Sequence, residues 1–296
     1  MKKWIRALVF AALLMGAYHF TAGFCRKKTD AFTMERIHSD LTFNPAWATP
    51  VPSGQERQDL QRILSQEFHY LGCGGQCFAF VSEDGQYVIK FFKHKIRKPL
   101  SALLLHTLPA PLEALRARKL GKILSKLERD FTSYKIAYDE LKQETGILYI
   151  HLNKTQELDQ QLLLRDKLNI AHKIDLDGIE FILQKKADMA YTYLDPLFHA
   201  KKLKEAEAAI DSLIDVIVSR CHKGIFDEDA KIHRNFGFIQ GQAVVIDVGR
   251  FRRDAQRKDP LVYRKDVSAI TRTLRLYLEE RCPELIPHLE EKINSL

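Results

Sequence analysis

Residues 223–249 read KGIFDEDAKIHRNFGFIQGQAVVIDVG, and most of what the chain discloses about its fold sits there. Between Lys223 and Asn235 fall three acids, two lysines, a histidine, an arginine and an asparagine. Such a cluster is ordinarily a solvated polar loop. Here it is framed by apolar elements. Leu203 to Arg220 places Ala206, Ile210, Leu213, Ile214 and Ile217 at helical spacing ahead of it. Phe236-Gly237-Phe238 follows it directly, and Phe236–Ile239 and Ala243–Ile246 read as two short strands around Gly241. The second strand runs out in Ile246-Asp247-Val248-Gly249. An acid that ends a β-branched strand is well placed to bind a metal at a cleft edge; a turn aspartate is the plainer reading.

Upstream, His69–Leu71, Phe78–Val81 and Tyr87–Phe92 are β-prone, and Asp84-Gly85 marks a hairpin between the last two. The segment Leu71-Gly72-Cys73-Gly74-Gly75-Gln76-Cys77-Phe78 joins the first two runs. Glycines such as Gly72, Gly74 and Gly75 let backbone N–H groups approach a phosphate closely, because no Cβ intervenes. A plain β-turn would use the same residues. Lys90 ends Tyr-Val-Ile-Lys on the third strand. Turned inward, its ammonium needs an anionic partner; at an edge it needs none. Glu56–Gln66 reads as a short helix, and residues 100–144 are helical in pattern with breaks at Pro109 and Pro111. Ile147–Leu152 and Ile179–Gln184 are two further strands, and Val267–Leu278 is the clearest closing helix.

The order of these pieces resembles the protein-kinase-like fold, which runs as a Gly-rich loop, a V-A-I-K lysine, a helix glutamate, an H-R-D…N loop and a D-F-G aspartate. The resemblance spans roughly residues 68–280 and implies a two-lobed α+β architecture. Its N-lobe would be a five-stranded antiparallel sheet with one main helix, and its C-lobe reduced and mainly helical. It further implies ATP and Mg2+ in the cleft and γ-phosphoryl transfer to a hydroxyl acceptor, whether small molecule, glycan or protein. Gly72 and Gly74 match the first two loop glycines, with Gly75 beside them, and Lys90 matches the lysine that grips the phosphates. Glu128 is the expected helix partner of Lys90, ahead of Glu140. Asp229 stands where the acceptor-orienting aspartate belongs, with Asp227 as the alternative. Lys231 takes the place of the lysine that steadies the γ-phosphate, and Asn235 and Asp247 those of the metal ligands. The chain departs from the pattern in three respects: Asp227 replaces the histidine, one extra residue separates Asp229 from Asn235, and no A-P-E follows. A pseudokinase scaffold, binding a partner without phosphoryl transfer, is the alternative reading.

Composition sets the frame for this reading. The chain has 296 residues, 46% apolar and 28% charged, enough for two lobes around a shared cleft. Its formal charge of +8 suits an anionic partner. Without zinc-finger spacing or a basic tail, no nucleic acid is expected. Five cysteines without close CxxC pairs argue against a disulfide scaffold. The basic start MKKWIR precedes a run, Ala7 to Phe24, with no Asp, Glu, Lys or Arg, and Arg26-Lys27-Lys28 follows. This predicts a single-pass membrane anchor with the kinase-like domain on the cytosolic side; a cleaved signal peptide of a secreted protein is the rival. The expected division is 1–28 anchor or signal, 29–67 linker, 68–187 N-lobe and 188–296 C-lobe. Lys93, Lys95, Arg97 and Lys98, followed by Leu103–Leu105, would either touch an anionic membrane or pack as an extra helix on the small lobe.

Overall fold

Alternation of side chains along Cys77–Ser82 (β2) and Tyr87–Phe92 (β3) builds the centre of the main sheet. Phe78, Phe80, Ile89 and Phe91 are buried on one face, while Cys77 and Phe92 pack on the other. The computed structural model describes residues 2–94 and 110–296. Glu67–Cys73 (β1) pairs antiparallel with β2, and the Asp84-Gly85 turn joins β2 to β3 with Gly85 at φ 71°. Ile147–His151 (β4) and Phe181–Lys185 (β7) complete that side, with Lys90 opposite Ile182.

The sheet has seven strands rather than the five expected, in the order β4-β7-β3-β2-β1-β5-β6. The two additions are Gln161–Arg165 (β5) and Ala171–Asp175 (β6). Their leucine-rich text carries little β-branching, so propensity does not announce them. Burial does: Leu162 and Leu164 are wholly buried while Leu163 is exposed. Their turn is set by Asp166, whose Oδ1 accepts from Leu168 N (2.8 Å) and Ile170 N (3.0 Å), and by Asn169 at φ 64°. β5 runs parallel to β1, so the sheet is mixed.

Lys2–Lys28 (α1) and Gly54–Leu64 (α2) precede the sheet. Ala110–Glu140 (α3) is continuous, with Pro111 in the first turn, where a missing N–H goes unnoticed. The remaining chain is mainly helical: Ala190–His199 (α4), Leu203–His222 (α5), Pro260–Arg281 (α6) and Ile286–Asn294 (α7). Five short strands are set among them. Phe236–Ile239 (β10) lies between Asp188–Met189 (β8) and Gln242–Val245 (β11), and Ile225–Asp227 (β9) pairs with Phe251–Arg253 (β12). Gly237 permits the β8–β10 approach, since a Cβ there would meet Asp188 O at 2.5 Å.

Two cores result. One joins the α3 face of the sheet to α5 and α6 through Phe92, Phe131, Ile214, Phe251 and Leu274. The other covers the opposite sheet face, where Phe32 and Ile37 from the stretch before α2 are buried on Phe78 and Phe80.

The expectation of a single-pass anchor is corrected. Residues 2–28 do form α1, but among the described residues no helix is long and apolar enough to cross a membrane. Tyr18, His19 and Thr21 make the second half of the run polar. Lys95, Arg97, Lys98 and Leu103–Leu105 lie outside the described residues.

Candidate functional site

Lys90 shares its sheet face with Phe92, whose ring lies tilted against Phe131 and edge-on to Tyr134 of α3, with centroids at 4.7 and 5.4 Å. The lysine is therefore aimed inward, beneath the Gly-rich turn between β1 and β2. Its Nζ donates to Ile246 O at 2.5 Å, and Ile246 immediately precedes Asp247. Burial draws the Lys90 ammonium below its usual value, while the Asp247 carboxylate pulls it back up. Among the described residues no carboxylate lies within 4 Å of Nζ. Ile246 is held from the other direction too, since its N–H donates to Asn235 O at 2.7 Å. One peptide next to Asp247 thus ties the sheet lysine to the polar loop.

That loop runs from β9 into the helical turn Ile232–Asn235. Asn235 is buried, and its Nδ2 donates to Asp229 O at 2.5 Å. Asp229 and Lys231 are exposed and paired at 2.7 Å. Asp227 differs: it is 4% exposed and lies 3.6 Å from Arg220, itself 1% exposed. Its Oδ1 accepts from Asp229 N at 3.0 Å, whereas Oδ2 has no hydrogen-bond partner. Burial pushes the Asp227 carboxyl up, and Arg220 works against that. Of the two aspartates weighed in the sequence, only Asp229 faces solvent.

The turn over Lys90 spans Gly72, Gly74 and Gly75, none of which has an atom near the place a Cβ would occupy. Gly74 N donates to Cys77 O at 3.0 Å, and Lys93 N to Gln76 O at 2.7 Å. Gln76 reaches across. Its Nε2 donates to Asp130 Oδ1 (3.0 Å) and to Gly249 O (3.3 Å), and a Cβ on Gly249 would collide with its amide.

Helical phase decides which acid of α3 faces inward. Leu127, Phe131 and Tyr134 form the inner stripe, and Asp130 falls within it, 6% exposed. Glu128 falls outside it, lining an outer surface cavity of about 620 Å3 with Trp47, Arg129 and Arg252. The structure does not bring Glu128 to Lys90. Glu140 pairs at 2.5 Å with Arg253. Burial raises the Asp130 carboxyl, Lys126, Arg129 and Arg250 lower it, and Asp247 raises it again. Ser133, wholly buried, donates to Val248 O and accepts from Phe251 N at 2.6 Å, fastening the strand after Asp247 to α3.

A chain of contacts runs from Lys90 through Ile246 to Asn235, Asp229 and Lys231, with Gln76 joining the glycine turn to Gly249, and Glu128 is not part of it. Asp130, Gln76 and Ser133 are additions. Only Asp130 had a readable signal, its phase relative to Leu127 and Phe131. Among the described residues no group of three or more His, Cys, Asp or Glu could hold a metal. A Mg2+ held by only two protein donors would keep waters and take phosphate oxygens for the rest of its shell.

Neither a protein-family profile nor a curated protein matches the chain. Solved structures give weak likenesses. The ROP18 kinase domain in complex with AMP-PNP and sucrose superposes at TM-score 0.33 with 14% identity, over 67% of this chain and 62% of that one. WbdD with a kinase inhibitor gives 0.34 and 14%, over 75% and 44%. Rv3197 of Mycobacterium tuberculosis with erythromycin gives 0.30 and 13%, over 79% and 60%. The chain spans less than two thirds of each. At TM-scores below 0.5 none of these superpositions bears on the chemistry below.

Proposed function

We propose that the chain is a kinase-like ATP phosphotransferase acting on a hydroxyl acceptor. One observation supports this: Lys90 Nζ donates to Ile246 O and Ile246 N–H to Asn235 O, which keeps the inward ammonium and the polar loop next to the exposed Asp247. Phosphoryl transfer asks for charge neutralisation around three oxygens and an acceptor held in line. Lys90 would leave the Ile246 carbonyl for the α- and β-phosphates, under the turn that spans Gly72, Gly74 and Gly75, and the Gly74 N–H would leave Cys77 O to reach them. Asp247 and Asn235 would hold Mg2+, which neutralises charge on the phosphates. Asp229 would take the acceptor hydroxyl proton as the new P–O bond forms and the bond to the ADP leaving group breaks. Lys231, already beside Asp229, would steady the γ-phosphoryl oxygens. In this assignment Asp130, and not Glu128, is the inward acid of α3.

A second reading rests on the same lysine. Since no carboxylate lies within 4 Å of Lys90 among the described residues, its side chain has no ion pair to hold it in a transfer-competent position. The chain would then bind nucleotide without turning it over. Incubation with radiolabelled ATP and cell lysate separates the two. Transfer of label that is lost in both Asp229→Ala and Asp247→Ala supports the enzyme. Unchanged turnover in Asp247→Ala refutes its role, and binding of Mg-nucleotide with no transfer to any acceptor selects the second reading.

A further inference from the structure

A cavity of about 240 Å3 opens between the glycine turn at Gly75 and α3, and the phosphotransfer reading uses only Gly75 and Asp130 of its lining. Two lysines, Lys122 and Lys126, stand beside it, and Phe92, Leu127 and Phe131 line it. Lys93 borders it too, but its ammonium is held away, Nζ donating to Gly74 O at 2.5 Å and lying 4.5 Å over the ring of Phe78 on the other sheet face. Lys122 and Lys126 stand one turn apart on α3, so their ammonium groups share a face and repel. Among the described residues neither has a carboxylate within 4 Å. The single acid of the cavity, Asp130, is already engaged by Gln76 at 3.0 Å. The cavity therefore carries an excess of positive charge over an aromatic and aliphatic floor. An excess of that kind is relieved by a bound anion.

Its position gives the anion a role. Gln76 Nε2 is shared between Asp130 in the cavity wall and Gly249 O, two residues beyond Asp247. The cavity thus adjoins the Asp247 side of the cleft. We infer that this cavity receives the acceptor, and that the acceptor carries a compact anionic group, phosphate or carboxylate, next to an apolar or ring portion. Lys122 and Lys126 read the anion, and Phe92 and Leu127 take the apolar part. The acceptor role rests on the proposed phosphotransfer; the anion site does not.

The test is calorimetric titration of the full chain with phenyl phosphate, benzoate and phenol, each with saturating Mg–AMP-PNP so that the nucleotide site is filled. Phenyl phosphate should bind once per chain and phenol should not. Benzoate binding assigns the site to anions generally, and its absence to phosphate esters; either result supports the cavity. In Lys122→Gln/Lys126→Gln the phenyl phosphate affinity should fall about tenfold or more, with an unchanged melting temperature showing that the fold is kept. Lys173→Gln, an exposed lysine on β6, should bind phenyl phosphate as the parent does. No binding by the parent chain, or equal binding by the double variant, overturns the inference. Phenyl phosphate binding that depends on the two lysines, with no label transferred to any acceptor, would remove the phosphotransfer reading and leave the anion site standing. Transfer without phenyl phosphate binding would do the reverse.

Discussion

Replacing Ser133 with alanine should loosen the segment that follows Asp247, between β11 and β12. The hydroxyl is the bond partner of two buried backbone groups, the Val248 carbonyl and the Phe251 N–H, on residues 1% and 2% exposed. An alanine methyl fills nearly the same space and satisfies neither. An unpaired buried backbone group costs about 1–3 kcal/mol. Two of them, sharing whatever relaxation the chain allows, predict a loss of about 2–4 kcal/mol in urea unfolding, or a melting point lower by about 5–10 °C. Ser125 is the control on the same helix. It is exposed and bonds only the Lys122 carbonyl, so Ser125→Ala should stay within about 0.5 kcal/mol of the parent. A Ser133→Ala loss no larger than that of Ser125→Ala would show that the hydroxyl does not fasten the segment, and the account of how Asp247 is positioned would fail with it.

Two further outcomes follow from buried ionisable groups. Arg220→Met should destabilise the chain by about 3–5 kcal/mol at neutral pH, because it strands the Asp227 carboxylate in the core. Burial already raises that carboxyl above its usual value, and losing Arg220 raises it more, so the folded variant binds a proton the unfolded chain releases. Its deficit should therefore shrink as pH falls towards 4, and a deficit that is flat or grows on acidification would contradict the burial argument. Cys77 is pushed up to about 12 by burial, so its contribution to stability is intact below pH 9 and declines as pH rises from there towards 12. In the native chain at pH 8, iodoacetamide should label exposed Cys73 and Cys25 and spare Cys77; labelling of Cys77 at the rate of Cys73 would show the thiol is not enclosed.

The parts of this fold that could be read from sequence are those whose local signal and tertiary role agree. Asp84-Gly85 needs a left-handed residue in its turn, and Gly85 supplies one. The apolar spacing of Leu203–Arg220 survives as the buried stripe of α5. The β5–β6 hairpin escaped because leucine serves helix and strand alike, and only its contact with β1 chooses. The candidate site divides the same way. Lys90 stands on β3 and Asp247 two residues beyond the end of β11, positions that pattern can place. Asp130 and Glu128 differ by two residues, and distance along the chain ranks them equally; only the angular phase set by Leu127 and Phe131 separates them. Gln76 and Ser133 act through partners far off in sequence, Gly249 and Val248, and nothing local announces such contacts.

The added β5–β6 hairpin has a mechanical consequence. By pairing with β1 it makes that strand an interior member of the sheet, hydrogen-bonded to β2 on one side and β5 on the other. The second seam covers only Glu67–His69, so the base of β1 is clamped while Tyr70–Cys73 is zipped to β2 alone. A flap-like opening over a bulky solute would therefore hinge near Tyr70, where the β1–β2 register also shifts.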